Sequence, residues 1–495
     1  VDRDLIDDFL ASGAGIGGPC ERRIDTPISK VFLFADRALK RKKPVDFGFL
    51  DFTTLDKRRA ISVRELALNR LTAPDIYRGL HAVLPDGSGG FRLAPFETEG
   101  ALDYVLEMRR FDETAVLSEC PGRVDGALAE TLGREVARFH GRAALGTAGG
   151  GAEGLNYVLR SNADHLRHLA AGLGAAEVER LIAATGAAFA AARPLLDQRL
   201  TQGFVRVCHG DLHLGNLLLE EGRVVLFDRI EFNDRLIEID VLYDLAFVLM
   251  DLSFRGRGDA ANRVLNGWLD EAARVFPVDA LMQGLSLLPL VQSVRAAVRA
   301  HVSGHNGDIT AARAYLAAAL SHLERPPARL FCIGGLAGSG KSTLARALAP
   351  TLGAAPGAVI LRTDEIRKRL FGQAPTEPLG PEAYAAEADA KVHGALFDAA
   401  RQCLQAGVSV ILDATFRDAT RRAEALALAP FATGLWLDAP ADVLRARVGA
   451  RTNDASDADL AVLERQLVSG VSAPEWRRMD ACAPLNHQCA AALTP

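Results

Sequence analysis

Over the first hundred residues apolar positions alternate more often than they recur at helical spacing. VFLFADRALKRK (31–42) predicts two short strands around Ala35-Asp36, and ALDYVLEMRRF (101–111) opens as another. Between them KRRAISVRELALNRLTA (57–73) carries apolar residues three and four apart, so this region reads as strands with one helix. From 125 the pattern turns helical, in DGALAETLGREVARFHGRAAL, AAEVERLIAATGAAFAAARPLL, NRVLNGWLDEAARV and LLPLVQSVRAAVRAHV. HLERPPARL (322–330) breaks it, because Pro326-Pro327 ends the preceding helix and makes a linker. Beyond it strands such as RLFCIGG, SVILDAT and GLWLDAP alternate with helical stretches, which predicts a parallel sheet with helices on both faces.

Composition narrows the picture without changing it. The 495 residues have room for about three domains, and 49% hydrophobic with 24% charged residues is ordinary for a globular protein. A net charge of −5 argues against general affinity for nucleic acid or anionic membrane. Only eight of the 57 basic residues are lysines, so each lysine is informative. The seven cysteines form no C-x-x-C pair, the start is acidic, and the most apolar run, IDVLYDLAFVLMDL, is broken by aspartates. These features lead us to expect a soluble, cytoplasmic protein without a membrane partner.

Two phosphate-handling signatures stand more than a hundred residues apart. GLAGSGKS (335–342) satisfies G-x-x-x-x-G-K-[ST] between an apolar strand and a helix. Gly335, Gly338 and Gly340 let the backbone around Ser339 curl its N–H groups toward phosphates at the helix start, near Thr343. Lys341 would reach the β- and γ-phosphates and Ser342 would ligate Mg²⁺. Asp413, ending VSVILDAT, would order the metal or its water. In LRTDEIRKRLFG, Asp364 would take the proton of an acceptor hydroxyl and Arg367 would hold the acceptor or its phosphate. Arg445, Arg447 and Arg451 would offer guanidinium groups to the transferring phosphoryl, like a lid.

The other signature is H-x-D-x-x-x-x-N at 209–216, which has the spacing of a kinase catalytic loop. Asp211 would accept the acceptor proton, Asn216 would hold Mg²⁺, and Asp228 after VVLFD's strand would bridge Mg²⁺ to the phosphates. His209 would brace the loop, and Glu231 is close enough to assist the metal or face substrate. A β-rich part followed by a larger helical part fits a two-lobed kinase.

The two halves each resemble a known family. GLAGSGKST, TDEIR, VILDATFRDATRR and RARVGARTNDASDADL look like the small P-loop kinases, such as gluconate, chloramphenicol and 5′-hydroxyl polynucleotide kinases. There the D-x-x-R pair, here Asp364 and Arg367, activates and binds the acceptor. HGDLHLGN with VVLFDRIEF resembles the aminoglycoside phosphotransferase and choline kinase superfamily, which has a protein-kinase-like fold. ALKRKKPVDFGFLDF with RRAISVRELALNR is similar to the fused bacterial family that joins such a phosphotransferase to a P-loop ATPase. That likeness implies Lys40 as the phosphate-binding lysine, Glu65 as its helix partner, and adenine bound by a hinge near Met108. Lys42 shares the strand face with Lys40 and stays an alternative.

The expected architecture is α/β and α+β: a two-lobed protein-kinase-like domain over 1–325, then a P-loop α/β domain over 329–495. The small lobe covers about 1–110 and the large lobe about 111–325. The expected function is bifunctional: each domain moves the γ-phosphoryl of ATP, or of GTP, to a hydroxyl of a small molecule with Mg²⁺. Two alternatives stay open. One makes the P-loop domain a regulatory switch, and the other a polynucleotide 5′-kinase. From 328 onward 18 Lys/Arg balance 18 Asp/Glu, so nucleic acid is not the favoured acceptor.

Overall fold

A computed structural model describes residues 3–494 except 14–15, 49, 148, 451–455, 472 and 474. The chain divides into two compact units. One gathers Val1–Arg123, Ala143–Gly154 and Val205–Asp244, and the other gathers Val124–Arg142, Leu155–Phe204 and Leu245–Pro495. Thus the helices of the middle of the chain associate with the C-terminal α/β part, and the catalytic-loop segment associates with the N-terminal sheet.

The first unit is built on a six-stranded antiparallel sheet, formed by β1 (Arg22–Asp25), β2 (Ser29–Leu33), β3 (Arg37–Lys42), β4 (Tyr77–Pro85), β5 (Phe91–Pro95) and β6 (Asp103–Arg109). Their order is β1-β2-β3-β6-β4-β5. A helix over Arg3–Ser12, absent from the sequence expectation, buries Ile6 and Leu10 against Phe32, Leu39, Val83 and Val105. One turn separates Ile6 from Leu10, so a single short apolar stripe is enough to dock it.

The helix Leu55–Arg70 forms where expected, started by Thr54, whose side chain accepts from the Lys57 N–H. Its inward face differs from the apolar one its spacing suggested. The buried residues are Arg58, Ser62, Glu65 and Asn69, while Val63 is exposed. The reason is the charged strand opposite. Arg58 and Arg41 both pair with Asp103 at 2.9 Å, and Arg41 pairs with Asp7 at 2.9 Å. Buried charges persist only when paired in this way. The remainder of this unit holds the short strands β7 (Val205–Val207), β8 (Leu217–Glu220), β9 (Arg223–Leu226) and β10 (Glu238–Asp240).

The second unit contains a five-stranded sheet of β11 (Leu330–Gly335), β12 (Val359–Arg362), β13 (Val410–Asp413), β14 (Ala432–Asp438) and β15 (Arg477–Asp480). All neighbours are parallel, in the order β12-β13-β11-β14-β15. β11–β14 are mostly apolar runs, as strands covered on both faces require, whereas the edge strand β15 is polar with only Met479 buried. The edge strand β12 is met by asparagines of the helix Gly258–Ala272. Asn266 Oδ1 accepts from the Ile360 N–H at 2.7 Å, and Asn262 Nδ2 donates to the Ala358 carbonyl at 3.0 Å. These bonds satisfy an edge that would otherwise be open to strand pairing. Arg346 on the P-loop helix pairs with Glu130 at 2.9 Å. The apolar stretch Val278–His305 is long enough to cross a membrane, and 78% of its most apolar 18-residue window is buried within the protein.

Candidate active sites

In the first unit β3 presents Lys40 and Lys42 on one face, and Glu65 lies beneath them. Each lysine takes one oxygen of the same carboxylate: Lys40 Nζ is 2.7 Å from Glu65 Oε1, and Lys42 Nζ is 2.8 Å from Oε2. Their second partners separate them. Lys40 reaches Asp228 at 2.8 Å, whose side chain is 45% exposed, whereas Lys42 pairs with the buried Glu231. Glu231 therefore faces Lys42 inside the protein. Burial by itself raises the Glu65 carboxyl, but the two ammonium groups overcome it and hold the pKa to about 2. Burial outweighs Lys42 at Glu231 and pushes that carboxyl up.

Asp228 adopts φ 59°, an uncommon conformation for a residue with a side chain. It is held there in part by its N–H, which donates to the Tyr77 hydroxyl at 3.0 Å. Such local strain collects at functional positions. Burial and the Asp228 charge push the Tyr77 phenol well up, so it stays a neutral hydroxyl.

The catalytic-loop segment is fixed from below. The N–H groups of His209 and Gly210 donate to the two oxygens of Asp244 at 3.0 and 2.9 Å. Burial lowers the His209 pKa to about 4, so the ring is neutral. Its Nε2 donates to the Phe227 carbonyl at 2.9 Å, and its Nδ1 accepts from the Asp211 N–H at 3.3 Å. This one ring thus ties the Asp211 turn to the residue before Asp228. Asn216 Nδ2 donates to the Asp211 carbonyl and to its Oδ2, at 2.9 and 3.0 Å. That orientation turns the two donors inward and leaves the amide oxygen as the metal-type ligand.

Arg229, which the sequence reading did not single out, is almost wholly buried. Its N–H donates to Asn69 Oδ1 at 2.8 Å, and its guanidinium donates to the carbonyls of Leu68, Val207 and Cys208. It joins the Glu65 helix to the catalytic loop. Met108 lies near the end of β6, opposite Ala38 of β3, and packs beside Ala73, Ile76 and Tyr77.

Glu65, Asp228 and Glu231 set three carboxylates against the two ammonium groups, with Asp228 the most exposed. Asp228 and the Asn216 amide oxygen are hard oxygen donors of the kind that fit Mg²⁺.

In the second unit β11 leads into the loop and then into the helix Lys341–Leu348. Gly335, Gly338 and Gly340 have φ of 149°, 80° and 87°. A Cβ at Gly338 would lie 2.8 Å from the Leu444 carbonyl, and one at Gly335 would lie 2.7 Å from that of Leu437. Ser339 is buried, and its Oγ has no partner among the described residues. Lys341 Nζ donates to the carbonyls of Gly335 and Leu336 at 3.1 and 3.0 Å. Ser342 Oγ donates to Asp413 Oδ2 at 2.6 Å, and Thr343 is exposed. A glycine cradle, an unsatisfied hydroxyl and a hydroxyl–carboxylate pair at a helix N-terminus fit a Mg²⁺-bound polyphosphate.

Arg362, not foreseen from sequence, binds Asp413 at 3.2 Å and Glu365 at 2.9 Å. Asp364 is half-buried in the first turn of the helix Thr363–Leu370. Arg367 is buried and engaged: it donates to Asp389 at 2.7 Å and to the Ala383 carbonyl, and it stacks 5.0 Å from the Tyr384 ring. A hydrogen bond from His393, then Arg367, lowers the Asp389 carboxyl to about 2 against its burial. The wall made by Tyr384, Asp389 and His393 comes from PEAYAAEADAKVH, which has no motif-like spacing.

The proposed lid arginines separate. Arg447 donates to the Ala481 carbonyl at 3.0 Å and comes within 4.0 Å of the Cβ position of Gly340. Arg445 pairs with Glu464 at 2.6 Å on the surface. Arg451 lies outside the described residues.

Comparison with known sequences finds two families along the chain. The family described as "Phosphotransferase enzyme family" matches residues 93–278, and that described as "AAA domain" matches 330–469. Uncharacterized proteins of Mycobacterium tuberculosis and Mycobacterium bovis are 32% identical over 467 residues, covering 89% of this chain and 89% of each. Among solved structures, a choline/ethanolamine kinase family protein from Mesorhizobium loti is 16% identical, covering 65% of this chain and 95% of that one, with a TM-score of 0.38. The GDP complex of aminoglycoside 2′-phosphotransferase-IIIa is 11% identical, covering 65% and 98%, with a TM-score of 0.40. A sugar kinase from a Janibacter species is 23% identical, covering 34% and 93%, with a TM-score of 0.28.

Proposed function

The chain belongs to the family that fuses an aminoglycoside-phosphotransferase-like domain to a P-loop kinase domain, and on that premise we propose that this kinase is bifunctional. The observation that carries the reading is duplication: each unit has its own lysine and its own metal-type carboxylate, Lys40 with Asp228 and Lys341 with Asp413.

In the first centre Lys40, steered by Glu65, contacts the phosphates of ATP or GTP, with adenine or guanine against the strand near Met108. The shared Glu65 carboxylate sets both lysines, and the exposed Asp228 favours Lys40 over Lys42 as the contact. Asn216 and Asp228 hold Mg²⁺, which supplies neutralisation of phosphate charge. Asp211 takes the proton of the acceptor hydroxyl while its oxygen bonds to the γ-phosphorus and the bond to the nucleoside diphosphate breaks. His209 keeps the Asp211 turn in register with Asp228.

In the second centre the N–H groups of Gly338, Gly340, Lys341, Ser342 and Thr343, with the Ser339 hydroxyl, cradle phosphates, and Gly335 opens the turn. Ser342 and Asp413 hold Mg²⁺. Lys341 and Arg447, joined by Arg451, stabilise the transferring phosphoryl, and Asp364 takes the acceptor proton. Arg367 shapes the acceptor wall with Tyr384 and Asp389. Seven free cysteines support a cytoplasmic setting.

A second reading makes the P-loop centre a nucleotide-sensing regulator. It draws on Arg367, whose guanidinium is already committed to Asp389 and Ala383, and on the Glu130–Arg346 pair that ties the P-loop helix to the helical part.

Acceptor-dependent ADP release distinguishes the two. Full-length protein is screened with sugars, aminoglycosides, nucleosides and 5′-hydroxyl oligonucleotides, in the wild type and in Asp211→Asn and Lys341→Ala backgrounds. Two acceptors, each losing turnover in only one variant, support bifunctionality. If no acceptor raises the Lys341-dependent turnover above basal hydrolysis, the regulator reading takes its place.

A further inference from the structure

Among residues that neither phosphate site uses, three histidines of the helical part converge. His301 and His305 stand one turn apart on the helix Leu288–His305, and His165 projects from the helix Gly151–His168. Residues four apart on a helix share a face, so the pair forms a natural chelate. His165 Nδ1 lies 3.1 Å from His305 Nε2. The His165 ring centre is 4.8 Å from that of His301 and 5.1 Å from that of His305. One nitrogen from each of the three rings falls within 4.8 Å of the others.

Two imidazole nitrogens bound at about 2.0–2.1 Å to one tetrahedral ion are about 3.4 Å apart, so the His165–His305 spacing needs only slight opening. His301 has the outer partner that metal-bound imidazoles commonly have: its Nε2 meets Asn162 Oδ1 at 3.2 Å, and Asn162 Nδ2 donates to the Val294 carbonyl at 3.2 Å.

We propose that His165, His301 and His305 form a binding site for a late first-row transition-metal dication, Zn²⁺ in particular, with the remaining position open to water beside the exposed His305. Three imidazole ligands favour zinc-class ions over Mg²⁺, which prefers oxygen. The ion would clamp the helix Gly151–His168 to the helix Leu288–His305 and would stand apart from the phosphoryl-transfer chemistry.

The test is a calorimetric titration of chelator-stripped, full-length protein with Zn²⁺ and with Co²⁺, in excess Mg²⁺ to occupy the carboxylate sites. One ion per chain is expected, with the visible absorption of four-coordinate Co²⁺ and a higher Tm. His165→Gln and His305→Gln should each weaken binding more than about tenfold and remove both the absorption and the Tm rise. Melts of the metal-free variants show that they fold, and the exposed His305 makes that variant structurally mild. Absence of saturable binding in the wild type, or unchanged affinity and spectrum in folded His305→Gln, overturns the proposal.

Discussion

The two proposed phosphate centres are assembled on opposite principles. The first collects side chains from far apart in sequence: Lys40 meets Asp228 across 188 residues, over a Glu65 that is fully buried. The second is almost one continuous segment, 335–342, whose shape depends on glycine backbone and whose main distant partner is Asp413. A centre made of buried charge is costly to disturb, because removing one ion leaves its partners unpaired. A centre made of backbone is instead sensitive to any side chain that fills the cradle. The contrast predicts that equivalent-looking substitutions fail for different reasons.

Glu65→Ala should be the most damaging change. It leaves Lys40 and Lys42 buried without their shared carboxylate, so unfolding free energy should fall by about 3–5 kcal/mol, with loss of transfer by the first centre. Urea unfolding followed by circular dichroism measures it. Lys341→Ala, in the other centre, should change stability by less than about 1 kcal/mol.

Asp211→Asn should lower turnover of the first centre by at least about a hundredfold, the usual worth of a positioned base, while nucleotide affinity stays within about threefold. The measurement is made in the Lys341→Ala background, so that the second centre is silent. Near-normal turnover would remove Asp211 from its proposed role.

Gly338→Ala should cost the P-loop about 1–3 kcal/mol of nucleotide affinity, since its φ is 80° and the new Cβ meets the Leu444 carbonyl at 2.8 Å. The first centre should keep its affinity. Fluorescent-nucleotide titration in an Asp228→Ala background reads this out.

Arg445→Ala should have the smallest effect, leaving stability unchanged and altering turnover less than about twofold, because its pair with Glu464 is exposed. Arg447→Ala, beside the loop, should reduce P-loop turnover severalfold. Equal effects of the two would mean that both arginines act in the lid.

How far the sequence revealed these centres follows from the same contrast. The P-loop and the H-x-D-x-x-x-x-N segment were legible because their groups lie within ten residues of one another. A period of two puts Lys40 and Lys42 on one face, so the sequence prefers Lys40 only with Lys42 as an alternative, and the structure has both touching Glu65. Apolar spacing found the helix around Glu65 but gave no hint that its buried stripe is Arg58, Ser62, Glu65 and Asn69. That stripe exists only because charged residues of other segments face it. Asp244, Arg229, Arg362 and Asp389 escape the sequence because each has at least one partner well removed along it. The helix Arg3–Ser12 was missed because so short an amphipathic stripe blends into strand-like surroundings.

The central claim is that the two centres bind nucleotide separately, and calorimetric titration of the full-length protein with Mg²⁺ and a non-hydrolysable ATP analogue tests it most directly. The account predicts two nucleotides per chain, with Lys341→Ala weakening one site, Asp228→Ala weakening the other, and coupling between them of no more than about 1–3 kcal/mol. A stoichiometry of one, abolished equally by either substitution, would contradict it.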